Sequence, residues 1–168
     1  MKHLVLLRHA KAEPIGELGD HLRAVSAPGR QQARALGPMI RTHCGEVDTV
    51  LVSSALRTKE TYRLLAAADE PWPDGRSLDA IYDAGPRELI ALLGQEISED
   101  TATVMVVGHE PTMSSLAHML HDSRDELGAQ IRLGIHTATA CILQVPVAWD
   151  ALDRNTCHLT AVVRPTVA

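Results

Sequence analysis

Three short apolar runs stand out along the chain, at residues 4–7, 50–52 and 104–107. None shows the alternation of a half-exposed strand, so they predict strands buried on both faces of a parallel sheet. Helical spacing of apolar residues covers 28–43, 56–68 and 86–97, and a fourth helix is predicted after Pro111, which suits a first helical turn. The alternation predicts an α/β fold with three layers, α/β/α, and a mostly parallel central sheet.

The C-terminal part of the chain follows a different pattern. Residues 137–145 and 157–163 predict two strands, joined by residues 146–156 with their turn-forming Asp and Asn residues. We expect an antiparallel pair at the edge of the sheet, and a loop over residues 16–27 near the first strand. The sequence contains no repeat, low-complexity tract or linker, so residues 1–168 are predicted to form a single domain.

Composition and charge narrow the class of protein. Aromatic residues make up 2% of the chain, so an aliphatic core is expected. The net charge is −5 and no dense basic run occurs, which argues against a nucleic-acid or membrane partner. Cys44, Cys141 and Cys157 form no C-x-x-C pattern, and residues 3–7 are too short for a signal peptide core. A cytoplasmic protein is therefore expected.

Residues with phosphate chemistry follow each of the three predicted parallel strands. The first run ends in Arg8 and His9, the second leads to Arg57, and the third leads to His109. Ligands of open α/β sheets bind beyond the carboxyl ends of the strands, where these side chains should meet. Two guanidiniums can hold phosphate oxygens, one neutral imidazole can attack phosphorus, and a second imidazole can stabilise the transition state. Ser53 and Ser54 are interpreted as helix caps.

The same residues carry a family resemblance. Residues 7–10 (L-R-H-A) resemble the R-H-G signature of the histidine phosphatase, or phosphoglycerate mutase-like, superfamily. Residues 52–61 resemble its second block, where S-x-L-x-R-x-x-x-T forms are common, and residues 107–111 resemble the third. Residues 8–11, 20–26 and 29–33 resemble the SixA-like phosphohistidine phosphatases in particular.

The resemblance implies roles for individual residues. Arg8 and Arg57 would bind phosphate, His9 would become phosphorylated and His109 would assist. Arg23 is a further candidate for the rim of the phosphate site.

The sequence departs from the superfamily at two positions. Ala10 replaces the usual Gly after the nucleophilic His, and Ala80 stands where mutase-type members carry the Glu of an L-x-E segment. Asp79, Asp83 and Glu110 are alternative acids, with Asp83 favoured because it lies in a turn with Gly85. The other interpretation is that all three are surface charges.

The expected activity is that of a phosphatase without metal or cofactor, acting in two steps through a phosphohistidine at His9. Only 51 residues separate Arg57 from His109, which leaves no room for a large cap. A phosphohistidine on a protein is the expected substrate, because its nitrogen leaving group is easily protonated. The alternatives are a phosphatase of small phosphomonoesters and a non-catalytic phosphate- or phosphoprotein-binding module. His118 and His121 are interpreted as a polar helix face rather than a metal half-site.

Overall fold

The computed structural model describes residues 1 to 166, which are built around a six-stranded sheet in the order β3-β2-β4-β1-β5-β6. The strands are β1 (Lys2–Arg8), β2 (Thr49–Ser53), β3 (Gly75–Leu78), β4 (Thr103–Gly108), β5 (Ala140–Val145) and β6 (His158–Val163). Strands β3, β2, β4 and β1 are parallel, whereas β5 runs antiparallel to both β1 and β6. The predicted antiparallel pair at one sheet edge is thus confirmed.

Helices cover both faces of the sheet, which confirms the α/β/α prediction. They are α1 (Ala27–Cys44), α2 (Leu56–Ala68), α3 (Asp79–Tyr82), α4 (Pro86–Glu96), α5 (Thr112–Leu120) and α6 (Glu126–Ile131). Alternate residues of β1 face opposite layers, because successive side chains of a strand point to opposite faces. Val5 and Leu7 pack with the layer of α1 and α2, whereas Leu4 and Leu6 pack with the layer of α3 to α6. Among the described residues, no helix is long and apolar enough to span a membrane.

The structure corrects the predicted boundaries near residue 137. The strand begins at Ala140 rather than at 137, because Ala138 adopts a positive φ of 53° that breaks the extended conformation. The residues before β5 bond instead to the end of β1. Ala138 N–H donates to the carbonyl of His9, the residue after β1, and Arg8 N–H donates to the carbonyl of Thr139, both at 3.0 Å. This loop therefore lies against the end of β1.

Several elements were not predicted. Strand β3 contains only one apolar residue and is mostly exposed, so it carries no hydrophobic run. Helices α3 and α6 are four and six residues long, too short for a helical period to be recognised. Residues 20–22 and 149–151 form single turns of 3-10 helix, and Pro111 lies at the N-cap of α5 rather than in its first turn.

Candidate active site

The register of the parallel strands places the predicted site residues together. Arg8 pairs with Gly108 across β1 and β4, so His9 and His109 follow side by side, and their ring centroids lie 5.5 Å apart. Strand β2 pairs with β4 up to Val52 and Val107, which brings the end of β2 and the start of α2 to the same edge. Arg57 projects from that first turn of α2. The four predicted residues meet at the carboxyl edge of the sheet.

His9 is buried and held in one tautomer. Its Nδ1 lies 2.8 Å from the carbonyl oxygen of Ala10, which can only accept, so Nδ1 carries the proton and donates it. The lone pair is then on Nε2. Burial, followed by the nearby charges of Arg57, Arg8 and Arg23, lowers the pKa of His9 to about 4, although the bond to Ala10 opposes this shift. At neutral pH His9 is an uncharged imidazole with a lone pair on Nε2.

A second set of contacts fixes the chain after His9. The amide of Ala10 donates to Thr61 Oγ1 at 2.9 Å, which ties the residue to α2. Ser26, the N-cap of α1, donates from its amide and hydroxyl to the carbonyl of Lys11. A Cβ at Gly29 would lie 2.1 Å from that carbonyl oxygen, so glycine is needed where α1 approaches this segment. These contacts hold the His9 backbone rigidly.

Arg8 and Arg57 each present a guanidinium to the site. Arg8 Nη1 donates to the carbonyl of Ile135 at 2.8 Å. Arg57 is 6% exposed, so its side chain lies within the site rather than on a solvated helix face. The Nε atoms of both arginines are buried and have no hydrogen-bond partner among the described residues. Buried unpaired donors are rare, and two of them at one site are suited to an anion.

His109 lies between Arg57 and Ser53. Arg57 Nη2 is 3.2 Å from its Nδ1, and because arginine can only donate, this nitrogen accepts. The proton of the neutral ring is therefore on Nε2, which donates to Ser53 Oγ at 2.8 Å. Burial and then the charge of Arg57 lower the pKa of His109 to about 3. The unbound site thus holds two neutral histidines and two guanidiniums.

The interpretation of the two serines as helix caps is wrong. The N-cap of α2 is Ala55, which has no side-chain cap. Ser53 Oγ bonds to His109, and Ser54 Oγ lies 2.9 Å from Nε2 of His21. Both hydroxyls bond to imidazole nitrogens, because β2 ends beside the segments that carry His109 and His21. Ser53 therefore belongs to the site, as a partner that fixes the tautomer of His109.

Two residues near Arg57 were not expected from the sequence: Asp20, on the loop of residues 13–25, and Tyr82, at the end of α3. Asp20 accepts from Arg57 Nη2 at 3.1 Å through Oδ2 and from Arg23 Nη1 at 3.1 Å through Oδ1. The hydroxyl of Tyr82, at the end of α3, also donates to Asp20 Oδ2. The Tyr82 bond, followed by the two arginines, holds the pKa of Asp20 far below its usual range. Arg23, the candidate for the rim, bonds to the same carboxylate that Arg57 contacts.

The three candidate acids lie in different environments. Asp79 is exposed at the start of α3, and Asp83 is exposed in a hollow that Ala80 and Glu88 also line. Neither contacts the four central residues. The carboxylate of Glu110 accepts three hydrogen bonds, from Ser114 N, Ser114 Oγ and Ile135 N, at 2.7–3.1 Å. Glu110 thus joins α5 to the loop that supports Arg8.

His118 and His121 do not share a polar helix face, because α5 ends at Leu120 and only His118 lies on it. His118 is exposed whereas His121 is buried. Nε2 of His121 bonds to Asp125 and its Nδ1 accepts from Leu159 N, so both ring nitrogens are already used. His121, Asp122 and His158 do approach one another, but His121 has no free lone pair for a cation.

Comparisons with known proteins agree with this geometry. No protein-family model matches the chain. An uncharacterized protein of Mycobacterium tuberculosis is 33% identical over 114 residues, 68% of this chain and 69% of the relative. An uncharacterized protein of Mycobacterium leprae is 29% identical over 161 residues, which cover 92% of this chain and 97% of that protein.

Solved structures extend the comparison to proteins with an assigned activity. A protein of Nakamurella multipartitia, assigned as a phosphohistidine phosphatase SixA, has a TM-score of 0.86 and 28% identity, with 99% of this chain and 97% of that chain covered. A protein histidine phosphatase SixA in complex with tungstate has a TM-score of 0.78 over 96% of each chain; at 16% identity it supports the fold alone.

The fold, the order of the three motifs and the 28% identity to a protein assigned as a phosphohistidine phosphatase SixA define the class: the chain has the fold and the motifs of the histidine phosphatase superfamily. A protein of Agrobacterium tumefaciens that is also assigned as SixA has the same fold, with a TM-score of 0.78 over 98% of this chain and 99% of that chain.

Proposed function

We propose that the protein hydrolyses phosphohistidine on proteins, through a covalent phosphohistidine formed on its own His9. The observation that supports this most strongly is the tautomer of His9, whose Nδ1 proton bonds to Ala10 and whose Nε2 carries the lone pair. A neutral, oriented imidazole next to two guanidiniums is an activated nucleophile facing an anion site.

In the first step, Nε2 of His9 attacks phosphorus and the bond from phosphorus to the leaving group breaks. Arg8 and Arg57 hold the phosphoryl oxygens through their guanidinium groups. In the second step, water attacks the phosphorus of the phosphoenzyme and His9 leaves with its lone pair on Nε2. Positioning and charge stabilisation supply most of the catalysis in such transfers.

His109 has a role that depends on the substrate. A phosphoryl dianion beside the ring raises the pKa of His109, because a negative charge favours the imidazolium. Protonation at Nδ1 breaks the hydrogen bond that this nitrogen accepts from Arg57 Nη2, and Nδ1–H then donates to a phosphoryl oxygen, while Nε2–H stays on Ser53. The hydrogen bonds to Ser53 and Arg57 thus orient the His109 ring before the substrate binds.

The choice of phosphohistidine rests on the carboxylates. Ala80 occupies the position of the superfamily's usual acid, Glu110 is held by three donors, and Asp83 lies in a separate hollow. Asp20, the carboxylate at the site, is anionic because its pKa is strongly lowered. A phosphoramidate nitrogen is readily protonated by itself, whereas an alkyl oxygen needs an acid. This arrangement of carboxylates therefore favours a substrate in which a P–N bond is broken.

The shape of the site supports the same choice. The chain between Arg57 and His109 forms α2, β3, α3, α4 and β4, which all belong to the three-layer α/β/α fold. None of it extends over the site as a cap. An uncapped site can receive a phosphohistidine that protrudes from a folded protein.

Three unpaired cysteines among the described residues also suit a reducing cytoplasm.

A phosphatase of small phosphomonoesters is the second candidate, and the loop of residues 13–25 favours it, since Asp20 ties this loop to Arg57 beside the phosphate site, where the loop could help to enclose a small substrate. A comparison of kcat/KM on a phosphohistidine protein, an aryl phosphate and an alkyl phosphate, with His9→Ala as control and EDTA present, tests the proposal. We expect the phosphohistidine protein to be hydrolysed most efficiently, with activity unaffected by EDTA. An alkyl phosphate turned over faster than every phosphohistidine would overturn it.

A further inference from the structure

Exposed apolar side chains are concentrated beside the active site. Among the described residues, the large hydrophobic side chains that are exposed are Met1, Ile15, Leu18, Leu22 and Leu133. Met1 is the first residue of the chain, but the other four lie on two loops that contact the arginines of the site. A single exposed leucine needs no explanation, whereas a group of them around one site is typical of an interaction surface.

The first loop, residues 13–25, is held in place at its base and near its tip. Ala12 and Val25 form an antiparallel bridge, and Arg23 Nε donates to the carbonyl of Glu13 at 2.8 Å. Near the tip, Arg57 Nη1 donates to the backbone oxygen of Asp20 at 2.8 Å. Leu18 is nonetheless 77% exposed. The loop is anchored with its apolar side chains outward, so they are not covered by the protein's own core.

The second loop joins α6 to β5 and is anchored on the other arginine. The carbonyl of Ile135 accepts from Arg8, and its amide donates to Glu110. Leu133, two residues earlier, is 93% exposed, and Gly134 has a positive φ of 111°. Leu133 therefore extends into solvent from a loop that is fixed to the phosphate site.

We infer that Ile15, Leu18, Leu22 and Leu133, here called the apolar rim, form the docking surface for a folded protein that carries its phosphohistidine within an apolar patch. This rests on the proposed function. The two loops are bonded to different guanidiniums of one site, so a phosphoryl group that reaches His9 arrives between them. A partner as large as a protein domain covers the rim when it delivers that group, whereas a small metabolite leaves the rim in water.

Charge on the loops agrees with a protein partner. The first loop carries Glu13 and Glu17 beside Arg23, and Arg132 precedes Leu133 in the second. Both signs are present, so the surface lacks the single positive field that attracts nucleic acid or anionic lipid. Apolar contact is then the main source of affinity, and it comes from area removed from water.

The test compares two substrates with the same reactive group and different sizes. One is a small folded domain whose surface histidine lies among exposed apolar side chains and is phosphorylated by phosphoramidate, and the other is free phosphohistidine. The double variant Leu18→Ser/Leu133→Ser removes the most exposed side chain of each loop without touching a residue of the phosphate site. Ala67→Ser, at an exposed position near the end of α2, is the control.

The double variant should lose roughly ten- to a hundredfold in kcat/KM on the phosphorylated domain, mostly through KM, and stay within about twofold of wild type on free phosphohistidine. Equal losses on both substrates, no loss on the domain, or a wild type that prefers free phosphohistidine to every phosphorylated domain would each overturn the inference. A wild type that hydrolyses neither would instead overturn the proposed function. Rim-dependent binding to neutral lipid vesicles would assign the surface to a membrane and also overturn it.

Discussion

Asp20 and Arg57 are joined by two hydrogen bonds, although they are 37 positions apart in the sequence. Nη1 of Arg57 donates to the backbone oxygen of Asp20 at 2.8 Å, and Nη2 donates to its Oδ2 at 3.1 Å. A carboxylate therefore lies at the arginine that we propose holds the phosphoryl group. Before substrate binds, it neutralises part of the charge of Arg57, and it competes with any phosphate that approaches.

Replacing Asp20 should strengthen anion binding. Asp20→Ala removes a negative charge next to Arg57, and we expect vanadate to bind roughly tenfold more tightly because one unit of repulsion at short range is lost. Isothermal titration with vanadate at neutral pH measures the change. Glu17→Ala, an exposed acid on the same loop, should bind vanadate like the wild type. Weaker binding in Asp20→Ala would mean that Asp20 mainly orients Arg57.

The planar guanidinium of Arg57 should be necessary for efficient catalysis. Arg57→Lys keeps the charge but loses the geometry that lets one guanidinium contact Asp20, His109 and a phosphoryl oxygen together. We expect kcat/KM to fall by roughly ten- to a thousandfold, which corresponds to ~1.4–4 kcal/mol of transition-state binding. Arg63→Lys, exposed on the same helix, is the matched control. Unchanged kinetics in Arg57→Lys would exclude a bidentate role.

The two buried histidines predict how stability depends on pH. The pKa values of His9 and His109 are lowered in the folded protein to about 4 and about 3, so in the unfolded chain each histidine takes up a proton at higher pH. Between about pH 6.5 and 4 the unfolded state binds more protons, and the free energy of unfolding must fall as the pH is lowered.

Each histidine can contribute up to about 1.4 kcal/mol per pH unit in that window. Urea unfolding in phosphate-free buffer from pH 7 to pH 5 measures the slope, and His9→Asn should make it shallower. The same slope in the variant and the wild type would mean that His9 is not held neutral by the fold.

The sequence was sufficient for the parts of the site that depend on strand register. Arg8, His9 and His109 follow buried apolar runs, and parallel pairing leaves no choice about which edge they reach. Ser53 follows the same rule, but its role was assigned wrongly because a serine before a helix is typical of a cap. Its partner His109 is 56 residues away and became visible only in three dimensions.

Other features could not be read from the chain. Asp20 and Tyr82 are 62 residues apart and meet because the loop of residues 13–25 reaches the end of α3 beside Arg57. No periodicity encodes the path of such a loop. The position of Glu110 next to His109 is visible in the sequence, whereas the three donors that hold its carboxylate are visible only in the structure.

The identity of the nucleophile is the central claim, and trapping the phosphoenzyme tests it most directly. The wild-type protein is exposed briefly to phosphoramidate or an aryl phosphate, quenched without acid and analysed by mass spectrometry of its peptides. We predict one added phosphoryl group, on His9, and no label and no turnover in a His9→Ala variant that retains the wild-type circular dichroism spectrum. A phosphoryl group on any other residue, or full turnover in His9→Ala, would contradict the account.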